Sequence, residues 1–260
     1  MKNDSSSDAS KYCSDKNGDK PHLFEFVAQK KWKKLRKLLK KKKGDCSAMC
    51  KTRDSTGLSL FGFAILSGAP KDLLDTILAV DSTQSQSPDS YGATPLHIAC
   101  LNGSSPQSVK YLIDISGGEL VRARDVDERV PLHHAVECLA RNEISFNDAK
   151  ECIQRLLKVD SSLIHCNDKN SDTPIDIVQI ARMNDHGKPS KNDPLQKLYK
   201  LLTDFSIMEY KRNKERWESQ GFDKRKHYEL CCGKNFLTTL LTEPISEISI
   251  SSAYDASENQ

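Results

Sequence analysis

Apolar residues recur with the spacing i, i+3, i+4 in five separate segments of the chain. This spacing places three apolar side chains along one side of an α-helix, so each segment is predicted to be a helix with one buried face. A shorter helix rich in small residues is predicted one turn before each of them, so the chain should alternate inner helix, tight turn, outer helix and extended loop. The five sets are Leu35/Leu38/Leu39, Leu74/Ile77/Leu78, Val109/Leu112/Ile113, Ile153/Leu156/Leu157 and Leu198/Leu201/Leu202.

Four aspartates mark the same period. Asp54, Asp89, Asp125 and Asp168 follow one another at steps of 35, 36 and 43 residues. Each stands six residues ahead of the cluster that opens a predicted inner helix. A self-similarity of this length indicates a stacked array of repeats, in which no single unit can bury its apolar face alone.

The start of each inner helix has a local chemical signal. Thr94-Pro95 and Thr173-Pro174 place a hydroxyl at the N-cap and a proline at the first helical position, where the missing N–H is not needed. Ser59 keeps the cap without the proline, and Val130-Pro131 keeps the proline without the polar cap. These signals predict four inner helices that begin near residues 60, 95, 131 and 174.

The string Thr-Pro-Leu-His-Ile-Ala, preceded by Asp89 and followed by Gly103, resembles the ankyrin repeat. With the helix stripes in register, the resemblance extends over about residues 22–203. It implies an all-α fold, an ankyrin-type α-solenoid of stacked helix-turn-helix repeats joined by short β-hairpin-like loops. The match is close at 89–113, good at 125–157, and degenerate at 54–78 and 168–202.

The register of the aspartates divides the chain into eight segments. Low apolar content predicts disordered tails at both ends, and the array between them needs terminal units with a polar outer face. The predicted segments are an N-terminal tail at 1–20, a capping helix pair at 22–53, repeats at 54–88, 89–124, 125–167 and 168–205, a charged C-terminal capping helical segment at 206–243, and a C-terminal tail at 244–260.

Three of the repeats depart from the family pattern, in two ways. Insertions are expected at 140–147 and 183–192, and such insertions map to loops on one side of an array. They are either neutral, because surface loops tolerate extra length, or they shape a binding site. The histidine of the motif is replaced by Gly62 in the first repeat and by Asp176 in the fourth.

Composition fits a thin solenoid inside the cell. Apolar residues make up 37% of the chain and charged residues 29%, which suits an array with much surface per residue. No signal-peptide pattern follows Met1, and the apolar runs are too short to span a bilayer. The nine cysteines, an odd number, are then expected to be reduced thiols. The protein is predicted to be intracellular, either cytoplasmic or nuclear.

No cluster of residues supplies the chemistry of an enzyme. His97 and His133 invite a catalytic or metal-binding interpretation, but the resemblance implies that this histidine bonds backbone near the hairpin and links adjacent units. No cysteine pair has the two-residue gap of a zinc site. Gly187-Lys188 and Gly233-Lys234 lack the rest of a phosphate-binding loop. The sequence therefore predicts a non-enzymatic protein with no catalytic residue, metal or cofactor. His134 is expected to face solvent or to be partly buried, with no assigned role.

The resemblance implies that a partner protein, of unknown identity, binds the concave surface formed by the hairpin tips and inner helices. Tyr91 is the best anchor, because aromatic side chains dominate interface hot spots. Acids at Asp127, Glu137 and Asp172 favour a basic or neutral peptide, and the protein alone is expected to be monomeric. The predicted contact residues are Ser55, Thr56, Leu58, Ser90, Tyr91, Ala93, Leu101, Asn102, Val126, Asp127, Arg129, Glu137, Cys138, Lys169, Asn170 and Asp172.

A run of ten cations without an acid occupies residues 30–43. The net charge of the whole chain is only +3, so the remainder is net acidic and the positive charge is local. Four explanations stay open: a solvated face of the capping helix, a signal for a nuclear-import receptor, a contact to nucleic-acid phosphates, or a contact to an anionic membrane surface. The alternative function is thus a polyanion-binding or nuclear regulatory factor. The cations are Lys30, Lys31, Lys33, Lys34, Arg36, Lys37, Lys40, Lys41, Lys42 and Lys43.

Overall fold

The structure, a computed structural model, describes residues 23–41, 51–184 and 193–219. Within these ranges the chain forms ten α-helices and three short 3₁₀ helices, and the predicted all-α fold of stacked helix-turn-helix units is confirmed. The predicted tails at 1–20 and 244–260 lie outside the described residues. The α-helices are α1 (Leu23–Ala28), α2 (Trp32–Lys41), α3 (Leu60–Leu66), α4 (Lys71–Val80), α5 (Pro95–Leu101), α6 (Pro106–Ile115), α7 (Pro131–Ala140), α8 (Phe146–Val159), α9 (Pro174–Asn184) and α10 (Pro194–Ser219).

The helices form two layers. Each odd-numbered helix contacts the even-numbered helix that follows it, and the odd-numbered series packs in order from α1 to α3, α5, α7 and α9. In the outer layer, α2 contacts α4, α6 contacts α8, and α8 contacts α10. The apolar stripes predicted from the sequence fill the space between the layers, since at least one residue of every stripe has no solvent exposure. One such residue from each stripe, in chain order, is Leu35, Ile77, Leu112, Leu156 and Leu202.

The predicted starts of the inner helices are confirmed. α3 begins at Leu60, and the Ser59 hydroxyl accepts the N–H of Gly62 at 3.1 Å. α5, α7 and α9 each begin with a proline, which is the residue that starts a helix without losing a hydrogen bond. Gly68 and Gly103 follow α3 and α5 with φ values of 70° and 59°, a left-handed conformation that ends a helix cheaply when the residue is glycine.

The insertion at 140–147 forms a loop only in part, since residues 141–145 make the turn between α7 and α8 and the other inserted residues are helical. α7 has 10 residues where α3 and α5 have 7, and α8 has 14 where α4 and α6 have 10. The extra residues lengthen both helices of the third repeat. Leu139 is buried and Phe146 packs against the core, so the insertion adds apolar contacts to the array. Of the insertion at 183–192, Met183 and Asn184 end α9, and 185–192 lie outside the described residues.

The last helix crosses the predicted boundary between the fourth repeat and the capping segment. α10 continues without a break through residues 205 and 206. Its buried stripe runs from Leu202 through Ser206 to Glu209, and the Glu209 carboxylate accepts a hydrogen bond from the hydroxyl of Ser161. One helix therefore serves both as the outer helix of the fourth repeat and as a cover for the 3₁₀ segment that precedes this repeat.

Candidate functional site

Each of the four aspartates closes the hairpin turn ahead of an inner helix. Oδ1 of Asp54 accepts the N–H groups of Thr56 and Leu58 at 2.9 and 2.8 Å. The other three aspartates accept in the same way from the second and fourth residues after them, at 2.8 to 3.0 Å. The N–H of each aspartate donates back to the carbonyl of that fourth residue. The recurring aspartate is thus a structural group that fixes the shape of the turn.

The third residue after each aspartate has a left-handed backbone. Its φ is 76° at Gly57 and 74° at Gly92, but it is also 59° at Glu128 and 64° at Ser171. Glycine adopts this conformation freely, whereas a residue with a side chain loses about 1–2 kcal/mol. At Gly57 space matters as well, because an added Cβ would lie 2.8 Å from the backbone nitrogen of Ser90 in the next hairpin.

Backbone hydrogen bonds join neighbouring hairpin tips into one edge. The N–H of Val126 donates to the carbonyl of Tyr91 at 2.9 Å. The equivalent bonds run from Ser90 to Thr56 at 3.0 Å and from Lys169 to Asp127 at 2.9 Å. Each tip is therefore held both by its own aspartate and by the adjacent repeat, so the side chains along the edge have fixed starting points.

Fourteen of the sixteen predicted contact residues reach the solvent along this edge and the adjoining inner helices. Tyr91 is 62% exposed and Val126 is 47% exposed, and the tip-to-tip hydrogen bond makes them neighbours. Six others are exposed, namely Ser55, Ser90, Asn102, Asp127, Lys169 and Asn170. Six more are partly exposed, namely Thr56, Ala93, Leu101, Arg129, Glu137 and Asp172.

Two of the predicted contact residues are buried. Leu58 is 5% exposed and Cys138 is 0% exposed, so neither side chain is available to a partner. Leu58 fills the space left by Gly62, since a Cβ at Gly62 would lie 2.6 Å from Cδ1 of Leu58. Cys138 points into the gap beside Gly103, where its Sγ would lie 3.2 Å from an added Cβ.

Two apolar side chains belong to the same surface although they were not predicted. Leu66 is 40% exposed and Ile180 is 38% exposed. Each stands 12 residues after its aspartate, which is also the register position of Leu101 and Glu137. Counting 12 residues from every aspartate would therefore have predicted Leu66 and Ile180 from the sequence. We call these two residues, together with the fourteen above, the tip surface.

The acids of the tip surface face bases at short range. Nη1 of Arg129 lies 3.0 Å from Oε2 of Glu137, and its Nε lies 3.3 Å from Oδ2 of Asp168. Nζ of Lys169 lies 3.7 Å from Oδ1 of Asp127. These pairs offset the charges of Glu137 and Asp127, two of the three acids from which a basic partner was expected. The surface also presents exposed apolar side chains.

His97 and His133 link adjacent repeats, as the resemblance implies. Nδ1 of His97 accepts the N–H of Thr94 at 3.1 Å, and its Nε2 donates to the carbonyl of Arg129 at 3.0 Å. His133 caps its own helix in the same way, and its Nε2 donates to the carbonyl of Cys166 at 3.1 Å. Burial lowers the pKa of both imidazoles from 6.5 to about 4. Both rings are neutral structural groups.

The residues that replace this histidine cannot form the same link. Oδ2 of Asp176 accepts the N–H and the hydroxyl of Thr173 at 2.9 and 2.7 Å. The carboxylate thus keeps the cap, but it has no proton to donate to a following unit. Gly62 has no side chain at all. The histidine links consequently join the second repeat to the third and the third to the fourth.

His134 has a structural role that the sequence did not predict. It is buried, and its Nε2 lies 2.8 Å from Oδ2 of Asp125. Its ring meets the edge of His97 with the ring centroids 5.6 Å apart. Burial raises the pKa of Asp125, but the hydrogen bonds from His134 and from the turn lower it by more. Asp125 therefore ties the hairpin turn to the inner helix of its own repeat.

The described part of the basic run lies on α2 and the turn before it, away from the tip surface. Nη2 of Arg36 lies 2.6 Å from Oδ2 of Asp72 on α4. Lys41 ends α2, and Lys42 and Lys43 lie outside the described residues. The remaining cations are all exposed, namely Lys30, Lys31, Lys33, Lys34, Lys37 and Lys40.

The polar clusters of the described ranges favour structure over chemistry. In this part of the chain no group of three or more His, Cys, Asp or Glu side chains is placed to hold a metal ion. Burial raises the pKa of the thiols of Cys100, Cys138, Cys152 and Cys166, so they pack as small neutral side chains. None of the helices described here is long and apolar enough to cross a membrane.

Comparison with known proteins agrees with this geometry. A family model described as ankyrin repeats (3 copies) matches residues 61–157. The matched stretch runs from α3 into the last turn of α8, so it contains Tyr91, Val126 and both linking histidines. No curated protein matches the chain significantly.

Proposed function

The chain is an ankyrin repeat protein, and we propose that it acts without catalysis by binding a partner protein through the tip surface. Ankyrin repeats are generally protein–protein interaction modules. The observation that carries the proposal is the exposure of Tyr91 and Val126 side by side on one hydrogen-bonded edge.

The backbone beneath these two side chains is already in place before a partner arrives. The N–H of Tyr91 donates to Oδ1 of Asp89 at 2.8 Å, and its carbonyl accepts from Val126. Binding therefore loses little conformational entropy at the edge, and such preorganisation raises affinity. A tyrosine ring can also bury about 150–250 Å² on contact, which makes Tyr91 the natural anchor.

The surface around the anchor defines the chemistry of the partner. The inner helices contribute a partly exposed apolar row of Leu66, Leu101 and Ile180. The charged residues between them form pairs within the array. A partner segment that places an apolar side chain over Tyr91 and Val126, and uncharged polar groups against the nearby serines and asparagines, would complement this surface best.

The test compares two variants, each with one exposed side chain replaced by alanine. Proteins that co-purify with the wild-type chain from its native cell are identified, and dissociation constants are measured with the purified partner. Tyr91→Ala should weaken binding by about 30-fold or more, because a hot-spot side chain contributes about 2 kcal/mol or more. Val159→Ala is the control, since Val159 is 44% exposed on α8 and lies outside the tip surface.

The control should bind like the wild type. Both variants should unfold at nearly the wild-type temperature, because each removes an exposed side chain and leaves the backbone hydrogen bonds unchanged. Wild-type affinity in both Tyr91→Ala and Val126→Ala would exclude the tip surface as the binding site.

We also propose that the protein works in a reducing compartment of the cell. Cys100, Cys138, Cys152 and Cys166 are free thiols, a state that the cytosol and nucleus preserve and the secretory route does not. Fractionation of cells that express a tagged chain tests this, and recovery of the protein from the medium would contradict it.

A further inference from the structure

The basic helix α2 has two opposite faces. Leu35 and Leu39 are fully buried against the core. At 100° per residue, Lys33, Lys37 and Lys40 lie roughly 140–160° around the helix axis from Leu35, and all three are exposed. The apolar face of α2 packs into the core, and the lysine face points away from the core.

This lysine face is held in a fixed orientation. The short bond from Arg36 to Asp72 joins α2 to α4, and Trp32 and Leu38 pack against the core at the flanks of the helix. The lysines therefore form a row on the outside of the array, and they cannot turn inward without breaking these contacts.

The lysines have no acidic partner among the described residues. Asp72 pairs with Arg36, and Glu25, on the neighbouring helix α1, accepts a hydrogen bond from Gln29 at 2.8 Å. No described salt bridge reaches Lys33, Lys37 or Lys40. Like charges three and four residues apart weaken a helix, so this arrangement costs stability without a salt bridge in return among the described residues.

We propose that the lysine face of α2 binds the surface of a membrane rich in anionic lipids. The row from Lys33 to Lys40 lies on one helix and is about 10 Å long at 1.5 Å per residue, and a planar surface can meet it along this length. Nine of the ten cations in the run are lysines, which bind phosphate as point charges without the fixed geometry of arginine. A fluid layer of headgroups suits such contacts because the lipids can adjust to the lysines.

A nucleic acid fits this face less well. The side chains of Lys33, Arg36, Lys37 and Lys40 border only an open depression of about 450 Å³, which offers no channel for a strand. The aromatic rings nearby, Phe24, Phe26 and Trp32, pack against the core, so they cannot stack on bases as single-stranded binders require.

The expected effect follows from the electrostatic contribution of each lysine. A lysine near an anionic membrane surface raises the partition coefficient about fivefold. Replacing four of them should therefore reduce binding several hundredfold. Added salt should weaken wild-type binding, because these charges are exposed and are screened over about 10 Å at 0.1 M salt.

The experiment uses the full chain and phosphatidylcholine vesicles prepared with and without phosphatidylserine. The test variant carries Lys33→Gln, Lys34→Gln, Lys37→Gln and Lys40→Gln, since glutamine keeps helix propensity close to that of lysine. A matched control carries glutamine at four exposed lysines of other helices, namely Lys110, Lys158, Lys200 and Lys211. Both variants change the net charge equally. Circular dichroism checks that both keep the wild-type helix content.

The proposal requires co-sedimentation of the wild type and the control with phosphatidylserine vesicles, a loss of several hundredfold in the test variant, and no binding to phosphatidylcholine alone. An equal loss of binding in the control would show that net charge alone determines vesicle binding, and it would overturn the assignment to α2. Failure of the wild type to bind these vesicles would overturn it as well, and retention of duplex DNA in that case would assign the face to nucleic acid. None of these outcomes depends on Tyr91 or the partner at the tip surface.

Discussion

Mild acid should weaken the array through the two linking histidines. His97 and His133 are buried with Nδ1 accepting and Nε2 donating a hydrogen bond. Burial disfavours the charged ring and lowers the pKa of both imidazoles to about 4, and a proton on Nδ1 would also break the cap. An unfolded histidine takes up its proton near pH 6.5. Between these values the unfolded chain binds more protons than the folded chain, so stability falls as the pH falls from about 6.5 to 4.

The magnitude follows from the two pKa values. A histidine with a pKa of 6.5 when unfolded and about 4 when folded destabilises the protein by about 2 kcal/mol between pH 7 and pH 5. The two histidines together contribute about 4 kcal/mol if they act independently. A domain has about 5–15 kcal/mol of stability in total, so the loss should be easily measured. Asp125 and Asp160, whose pKa values are lowered, lose their contribution only at more acid pH.

Urea unfolding at pH 7, 6 and 5 measures the effect. The wild type is compared with His97→Gln, His133→Gln and the double variant. The variants should be less stable at pH 7, because each loses a link between repeats. Each single variant should nevertheless lose about 2 kcal/mol less than the wild type between pH 7 and pH 5. The same pH dependence in the wild type and in both single variants would show that the histidines do not control this range.

The left-handed position of the hairpin turns allows two opposite predictions. Gly57→Ala should destabilise the protein by about 2–3 kcal/mol, because it adds the cost of a left-handed side chain to a collision with Ser90; thermal unfolding at the wild-type temperature would contradict this. Glu128→Gly should stabilise it by about 0.5–1 kcal/mol, because Glu128 has a φ of 59° and the relief exceeds the entropy that glycine loses on folding. A lower unfolding temperature for Glu128→Gly would mean that the side chain contributes more than the strain costs.

The fold could be predicted because its main signals are local and periodic. The aspartate recurs at nearly constant steps, and in every repeat its Oδ1 accepts hydrogen bonds from its own turn, so this role does not depend on distant residues. The helix starts follow from Ser59 and from three prolines for the same reason. The link from His97 to Arg129 is not local, and the prediction of it came from the resemblance to a family.

The missed features depend on packing across the array. The sequence did not predict that α10 continues as one helix past Glu209, because a carboxylate occupies the position where the apolar stripe should go on. In the structure this carboxylate is buried and contacts Ser161 and Arg212. His134 follows His133 directly and could not be assigned a partner until the turn brought Asp125 beside it. Leu58 and Cys138 stand at register positions that face solvent in an ideal repeat. Both side chains are buried here, because Gly62 and Gly103 leave room for them.

The uneven placement of the histidine links has a consequence for cooperativity. A linear stack resembles a one-dimensional lattice, whose stability is the sum of terms for each unit and for each interface between neighbours. His97 and His133 strengthen the two interfaces of the third repeat, while Gly62 leaves the interface between the first and second repeats without this coupling. Opening should therefore spread inward from the ends, with the third repeat as the last unit to unfold. Val126 belongs to the third repeat, so this one of the two neighbouring exposed side chains would keep its position in partly unfolded forms of the array.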